Sequence, residues 1–458
     1  MIKSIVLLLS FLLSVIGLTY PQQVYQFNVK HVDYERCNVA HSIVCNHNLY
    51  ACGRFSEVLS KTGDSVKNIA NKEWDVFVSQ FNNNGDILWY KQHKGLFFDI
   101  ANDIAVDTSG NIYVTGCFTD AIDIDGTKLE SNGQTDIFIA KYNNTGKLVW
   151  VQNFGGDGYD MGESITCDNR GNIYVCGYFS DMFRSQNQLF KSEGLTDAFI
   201  AKYDTSGRLA WMQQAGGNLK DEAKAVTVSN DNNIYVTGCF GGSAIFQKQD
   251  ILLSKGDWDI FTAKYNDKGK LIWVKPIGDE YYDKSYSTIT DNDENIYICG
   301  NINVDNEYSY ITSDVSLNIF VAKYDKSGKQ LWLNNIDGSD YDRANDIALD
   351  DSNNIYITGS FKKHVKIGDS VIISKGETDV FIAKLNSEGA PVWFKQGGGE
   401  LEDESFGICI DNNNIYITGF FTKSAIFGNI ELSSSYQSNM FIASYDLNGE
   451  IIWVKQYE

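Results

Sequence analysis

The sequence predicts an all-β fold: a seven-bladed β-propeller of four-stranded antiparallel blades. Three observations predict it. One stretch, DIFIAKYNNTGKLVW at 136–150, recurs in six further copies that end at Trp89, Trp211, Trp273, Trp332, Trp393 and Trp453. Every copy keeps a Gly four residues and a Phe twelve residues before its Trp, from Gly85 to Gly449 and from Phe77 to Phe441. The copies lie about 60 residues apart, and self-similarity at a fixed period is the signature of a repeat architecture. The chain is also rich in Tyr, Phe, Ile and Val, which suit a pleated surface, and it shows no sustained helical period.

Taken in order, residues 1–17 read as a signal peptide. Lys3 opens a short positive start, an apolar run follows, and Val15 and Gly17 are small enough for the cleavage positions. The run is shorter than the ~20 residues that a spanning helix needs, so the mature chain is expected to start near Leu18 with no membrane insertion. Residues 18–33 form an N-terminal segment. Within it, 24–29 resembles a degraded last strand and is the candidate clasp for the ring. The propeller is expected over 34–458, with blades at about 34–92, 93–153, 154–214, 215–276, 277–335, 336–396 and 397–458, each a unit that buries its faces only against its neighbours.

Each repeat reads as four strands. Strand A lies between two polar residues eight apart, such as Asp99 and Asp107. Strand B is NIYVTG, with Tyr113 and its equivalents in one slot and a glycine such as Gly116 at its close. Strand C is DIFIAKY, and strand D carries the Trp. Runs of this kind bounded by Asn, Asp and Gly are strand signals. In the NNTGK turn between C and D, Gly146 occupies a place that demands positive φ. Radial stacking of such units leaves only short, protected edges.

The formal net charge is 38 − 59 = −21. That excludes a nucleic-acid footprint, which must be basic. The nine cysteines are an odd number. Cys52, Cys176 and Cys299 share a slot with Thr115, and Cys45 and Cys167 share one with Val106, so mostly free, buried thiols are expected. No CxxC, HExxH, P-loop or GxSxG occurs. The run 291–295 is calcium-like but lacks the Gly and distal Glu of an EF-hand, and it occupies an A–B turn. No catalytic residue, metal ligand or cofactor is predicted. Glu163, Glu222, His93 and His364 break the repeat pattern, but nothing in the sequence links them.

An up-and-down meander puts A–B and C–D turns at one end of a blade and B–C and D–A connections at the other. The first set is uniform and the second varies, which makes the B–C/D–A face the candidate binding face. The Asp that opens strand A, from Asp99 to Asp403, recurs too regularly for a ligand and reads as a loop clamp. The residues beside it vary, and they supply the candidate ligand-binding set: Phe98, Tyr159, Tyr281, Tyr282 and Tyr341. Aromatics near carboxylates suit sugar stacking or a cationic partner; packing between blades is the alternative.

The pattern resembles the SBBP family of seven-bladed β-propeller repeats in exported bacterial proteins. The residues that carry the resemblance are IAVD..GNIYVTG and IFIAKY...G.L.W, and 354–400 and 419–456 match it closely. Asn301 and Ile302 depart from it after the fifth strand B. The resemblance implies a scaffold that is secreted, periplasmic or on the cell surface. The expected function is non-catalytic binding of a protein or a carbohydrate. The alternatives are a lyase or hydrolase with its site at the central mouth, or a structural adhesion component.

Overall fold

The computed structural model describes residues 38–56, 74–95, 97–247, 250–303, 317–367 and 370–457. The signal-peptide and clasp expectations at 1–17 and 24–29, and the first repeat's insert at 57–73, lie outside these residues. Among the described residues every regular element is a strand, and the arrangement is that of a β-propeller.

The second repeat shows the pattern. Strand A (Ile100–Val106) pairs with B (Ile112–Phe118), B with C (Asp136–Tyr142), and C with D (Leu148–Gly156), all antiparallel. Strands B and C are buried at every position, because each is flanked by strands on both sides and covered by the neighbouring repeats on both faces. That explains their near-continuous apolar sequence. Strand D is half-buried over most of its length and is the outermost of the four.

The turns are held by their own polar residues. Asn143 Oδ1 accepts the N–H groups of Thr145 and Lys147 at 3.0 and 2.9 Å, and Gly146 has φ 76°. In the A–B turn, Asp107 accepts the N–H groups of Ser109 and Asn111, and its second oxygen accepts from Asn111 Nδ2 and the Tyr113 hydroxyl. Asp291 makes the same set with Asp293, Asn295 and Tyr297. The calcium-like run is therefore a turn clamp.

Four strands per repeat is too simple. The B–C segments at Ala121–Ile124/Thr127–Glu130, Met182–Ser185/Gln188–Lys191, Ser243–Phe246/Asp250–Leu253 and His364–Ile367/Ser370–Ile373 form extra hairpins. In the last repeat, strands B and C lengthen to Asn414–Phe427 and Ile430–Asp446 and absorb the hairpin. Several hairpins pair with strand D of the preceding repeat, as in Gly155↔Arg184 and Gly216↔Ile245. Sheets thus run on across repeats, and one sheet does not equal one repeat. The glycines there are required: a Cβ on Gly217 would lie 1.6 Å from Ser243 O.

Each Trp docks on the next repeat's C–D turn. A Cβ on Gly146, Gly207, Gly269, Gly328, Gly389 or Gly449 would come within about 3.3 Å of Trp89, Trp150, Trp211, Trp273, Trp332 or Trp393 respectively. The series closes on itself, since a Cβ on Gly85 of the first repeat would lie 2.8 Å from Trp453 of the last. Trp453 Nε1 also donates to Asn83 O (3.2 Å), and the Tyr457 hydroxyl to Gly85 O (2.6 Å). The indoles are half-buried and not fully enclosed, which lowers the stabilisation expected of each.

The cysteine expectation needs one correction. Cys45 and Cys409 form a disulfide between strands A of the first and last repeats. Cys52, Cys117, Cys176, Cys239 and Cys299 are free and buried; Cys167 is free and half-buried.

Two outcomes follow. Gly328→Ala meets both a positive φ of 80° and the Trp273 ring, so it should destabilise by more than about 1 kcal/mol. Trp273→Ala should cost about 2–3 kcal/mol for a half-buried ring. Urea midpoints of the two variants check this; unchanged midpoints for both would refute the docking role. Reducing the disulfide, or changing Cys45→Ser, should remove about 2–5 kcal/mol, because the bridge closes a loop of 364 residues. Thermal melts with and without reductant measure it, and identical melts would refute it.

Candidate ligand site at the axis

Strand A lines the axis, and it is irregular in the same way in every repeat. Its register against strand B slips at one residue: His41, Asn102, Glu163, Lys224, Tyr286, Asn345 and Phe406 are the skipped positions. A bulge of this kind kinks the strand and re-aims a side chain. The strand-B glycine makes it possible. A Cβ on Gly53, Gly116, Gly177, Gly238, Gly300, Gly359 or Gly419 would lie 1.9–2.0 Å from a strand-A carbonyl oxygen.

All seven bulge residues are half-buried, and they line one cavity of about 280 Å³. Six residue types occupy these seven places. The positions on either side of the bulge are more regular. One residue on, Asp103 accepts from Ser42 Oγ (2.7 Å), Ser164 Oγ (2.8 Å) and the N–H of Ile165 (2.8 Å), which ties three repeats together. Asp346 accepts from Ser287 Oγ (2.6 Å) and the N–H of Ile408 (2.8 Å). Burial pushes Asp346 up to about 7 and also raises Asp103.

The charges on this wall are organised. Lys224 Nζ lies 2.6 Å from Glu163 and 2.9 Å from Glu222. Two of the residues that nothing in the sequence linked are therefore joined by a third. Burial alone would depress Lys224, but the two carboxylates outweigh it and hold the ammonium well above its usual range. Burial would raise Glu222, but Lys224 and Lys284 hold it down. Arg343 pairs with Glu404 at 2.5 Å. Lys284 Nζ sits over the rings of Trp258 (4.2 Å) and Tyr282 (5.0 Å), which stack on each other at 5.2 Å.

The sequence-predicted aromatic set divides. Tyr159 and Tyr341 are 59% and 43% exposed. Arg343 lies over Tyr341 at 5.7 Å. Phe98 packs on Trp74 at 5.1 Å and Tyr282 on Trp258, so these two rings are part of inter-repeat packing. Tyr281 is half-buried, and its N–H donates to Asp279. Backbone bridges Thr135↔Tyr159, Trp258↔Tyr282 and Leu317↔Tyr341 bring the B–C and D–A connections together at one end. His41 stacks on Phe406, whereas His47 sits in the A–B turn with φ 60°, so the two histidines do different jobs. His93 bonds the Tyr142 hydroxyl, and burial lowers it to about 4. His364 is exposed on a hairpin.

The Asp that opens strand A is a clamp. Asp160 accepts the N–H of Gly156 (2.7 Å), Asp221 that of Gly217 (2.8 Å), Asp342 that of Lys362 (2.8 Å), and Asp403 those of Gly399 (2.7 Å) and Thr422 (2.9 Å). Burial pushes Asp160 and Asp221 up to about 8, and Asp283, Asp342 and Asp403 to about 7.

With this geometry in view, comparison with known proteins finds SBBP β-propeller repeats at residues 99–116, 149–178 and 210–238. The chain thus carries repeats of the SBBP family. An uncharacterized WD repeat-containing protein of Acanthamoeba polyphaga mimivirus is 26% identical over 477 residues, covering 85% of this chain and 34% of the relative. The regulatory protein FlaEY of Caulobacter vibrioides is 24% identical over 186 residues, covering 37% of this chain and 19% of that one. The chain therefore spans about a third of the first relative's length and about a fifth of the second's. Among solved structures, a polysaccharide lyase is similar over 89% of this chain and 90% of its own, at 10% identity and TM-score 0.46. An apocarotenoid oxygenase of Synechocystis is similar over 92% of each chain, at 8% identity and TM-score 0.42. Likeness at this level says nothing of what this chain binds.

The clamps imply a pH dependence. Their folded values lie above the ordinary carboxylate value of 3.8, so their stabilisation is complete below 3.8 and is lost as pH rises through 7 to 8. His41 and His93 are depressed from 6.5, so their stabilisation is lost only as pH falls below 6.5. Between pH 6.5 and 8 the several raised aspartates outweigh the remaining histidine contribution, which fades above 6.5, and the melting temperature should fall. Asp221→Asn should make that fall shallower. A melting temperature that rises across this window would contradict the assignment.

Proposed function

We propose that the chain is an exported propeller of seven blades that binds a glycan or a protein at the B–C/D–A end of its axis, without chemistry. The observation that carries this reading is the strand-A bulge. A fold-imposed position recurs in every repeat, points into one cavity, and holds six residue types in seven places. Internal copies sample what the fold requires, so a slot that varies among them is open to specialisation.

Seven blades are supported by seven A-to-D pairings and by the docking of Trp453 on Gly85, which joins the last repeat to the first. Export is supported by the signal-like segment at 1–17, and the Cys45–Cys409 bridge suits an oxidising compartment.

The enzyme alternative gains one observation, the Glu163–Lys224–Glu222 cluster. It weighs against proton transfer. General acids and bases work best with pKa values near the working pH, whereas here Lys224 is held up and Glu222 is held down. Fixed charges of both signs serve recognition.

The test is binding of the intact protein to a glycan array and to immobilised surface-protein extracts, repeated with variants. Tyr159→Ala and Tyr341→Ala, whose rings are exposed, should each weaken capture by about 2 kcal/mol or more with little change in melting temperature. Thr145→Ala, Ser206→Ala and Ser327→Ala on the opposite turns should leave it unchanged. Loss of binding through the turn variants alone would put the working face at the other end.

A further inference from the structure

The rim between Trp258 and Arg343 gathers cations and aromatic rings. Two cations, Lys284 and Arg343, occupy equivalent places at the start of neighbouring A strands. Four rings surround them. Trp258 and Tyr282 carry Lys284 on their faces, Arg343 lies over Tyr341, and Tyr286 sits on the bulge between the two strands. This is a cationic spot in a chain whose net charge is −21.

The cations differ in what they already hold. Lys224 has two carboxylates and Arg343 has Glu404. Lys284 forms no ion pair with a carboxylate among the described residues, although its charge helps to hold Glu222 ionised; it lies against two ring faces. An ammonium packed between rings is partly desolvated, and that strengthens its pull on an anion. Arg343 Nε, too, is buried with no hydrogen-bond partner.

We propose that this rim recognises an acidic sugar, with its carboxylate or sulfate group on Lys284 and its ring against the exposed face of Tyr341. The proposal rests on the glycan reading above and narrows it. Charge order favours this ligand class over an acidic peptide. Glu222, Lys284, Arg343 and Glu404 run minus, plus, plus, minus along successive A strands, two adjacent cations flanked by carboxylates. A single anionic group set among neutral hydroxyls fits that order, with the glutamates accepting hydroxyl protons. A run of acidic side chains would meet Glu222, Glu404 and Glu402 and be repelled.

The experiment is calorimetric titration of the full chain with three probes of equal length: an oligogalacturonate, a sulfated galactan oligosaccharide and a cello-oligosaccharide. One acidic probe should bind at least about tenfold more tightly than the neutral one, and the preference should shrink as salt rises. Whichever acidic probe binds identifies the anionic group. Lys284→Gln should abolish the preference and Lys284→Arg should restore part of it. Tyr341→Ala, at an exposed site, should weaken every sugar that binds even if the Lys284 variants fold poorly.

Equal affinity for acidic and neutral probes, with Tyr341→Ala still weakening both, overturns the acidic-sugar proposal and leaves glycan binding standing. A preference that survives Lys284→Gln in a protein of unchanged melting temperature also overturns it. Absence of binding to all three probes overturns both readings.

Discussion

The propeller depends on one contact made repeatedly: the indole of each strand-D Trp laid on the glycine turn of the next repeat. The turn needs positive φ, and the ring needs the space where a Cβ would be. Both demands fall on one residue, so no other residue type fits there. Each contact is modest, since the rings are only half-buried. Its weight comes from closure. A linear array leaves two apolar faces open, whereas here the last Trp finds the first glycine. The seam is then reinforced at two radii. Cys45–Cys409 bridges the strands at the axis, and Trp453, Tyr457 and the Lys455–Asp86 ion pair bridge the outer edge.

At the axis a second glycine plays the matching part. The strand-B glycine admits the strand-A carbonyl at a distance that no Cβ permits. The strand can then bulge in every repeat and turn one side chain into the cavity. The clamp Asp before the bulge and the Ser/Asp positions after it carry the structural hydrogen bonds. The bulge residues meet their neighbours in several ways, Asn102 and Asn345 by donating to the next repeat's strand A, Glu163 and Lys224 by pairing, and His41 by stacking on Phe406, so His, Asn, Glu, Lys, Tyr and Phe all occur there.

The fold was legible because the chain samples it seven times. Gly146, Trp150 and Tyr113 each sit in a slot whose sevenfold recurrence marks a demand of the backbone, and the structure gives each a contact. The clamp reading of Asp99 to Asp403 was legible for the same reason. The axial site was less so. A bulge is a relation of register between two strands, and no spacing within strand A announces it. The one available signal was variation within an otherwise regular frame, at Asn102, Glu163, Lys224 and their equivalents. The sequence pointed one step away, to the aromatics beside the clamp, of which only Tyr159 and Tyr341 present substantially exposed rings. The hairpins were hidden because their strands are only four residues long. The disulfide was hidden because Cys45 and Cys409 lie at different places in their frames and 364 residues apart.

The two sets of ionisable groups near the axis respond to pH in opposite ways. The clamp carboxylates are buried against backbone N–H groups, and desolvation carries them into the neutral range. The wall charges are buried in opposed pairs, so Lys224 and Glu222 are driven away from that range. A shift around neutrality therefore acts on the connections and, on the cavity wall, on Asp346, while the Lys224 and Glu222 charges stay fixed. A surface that keeps fixed charges of both signs, with Lys284 lying against ring faces, is suited to reading charge on a ligand.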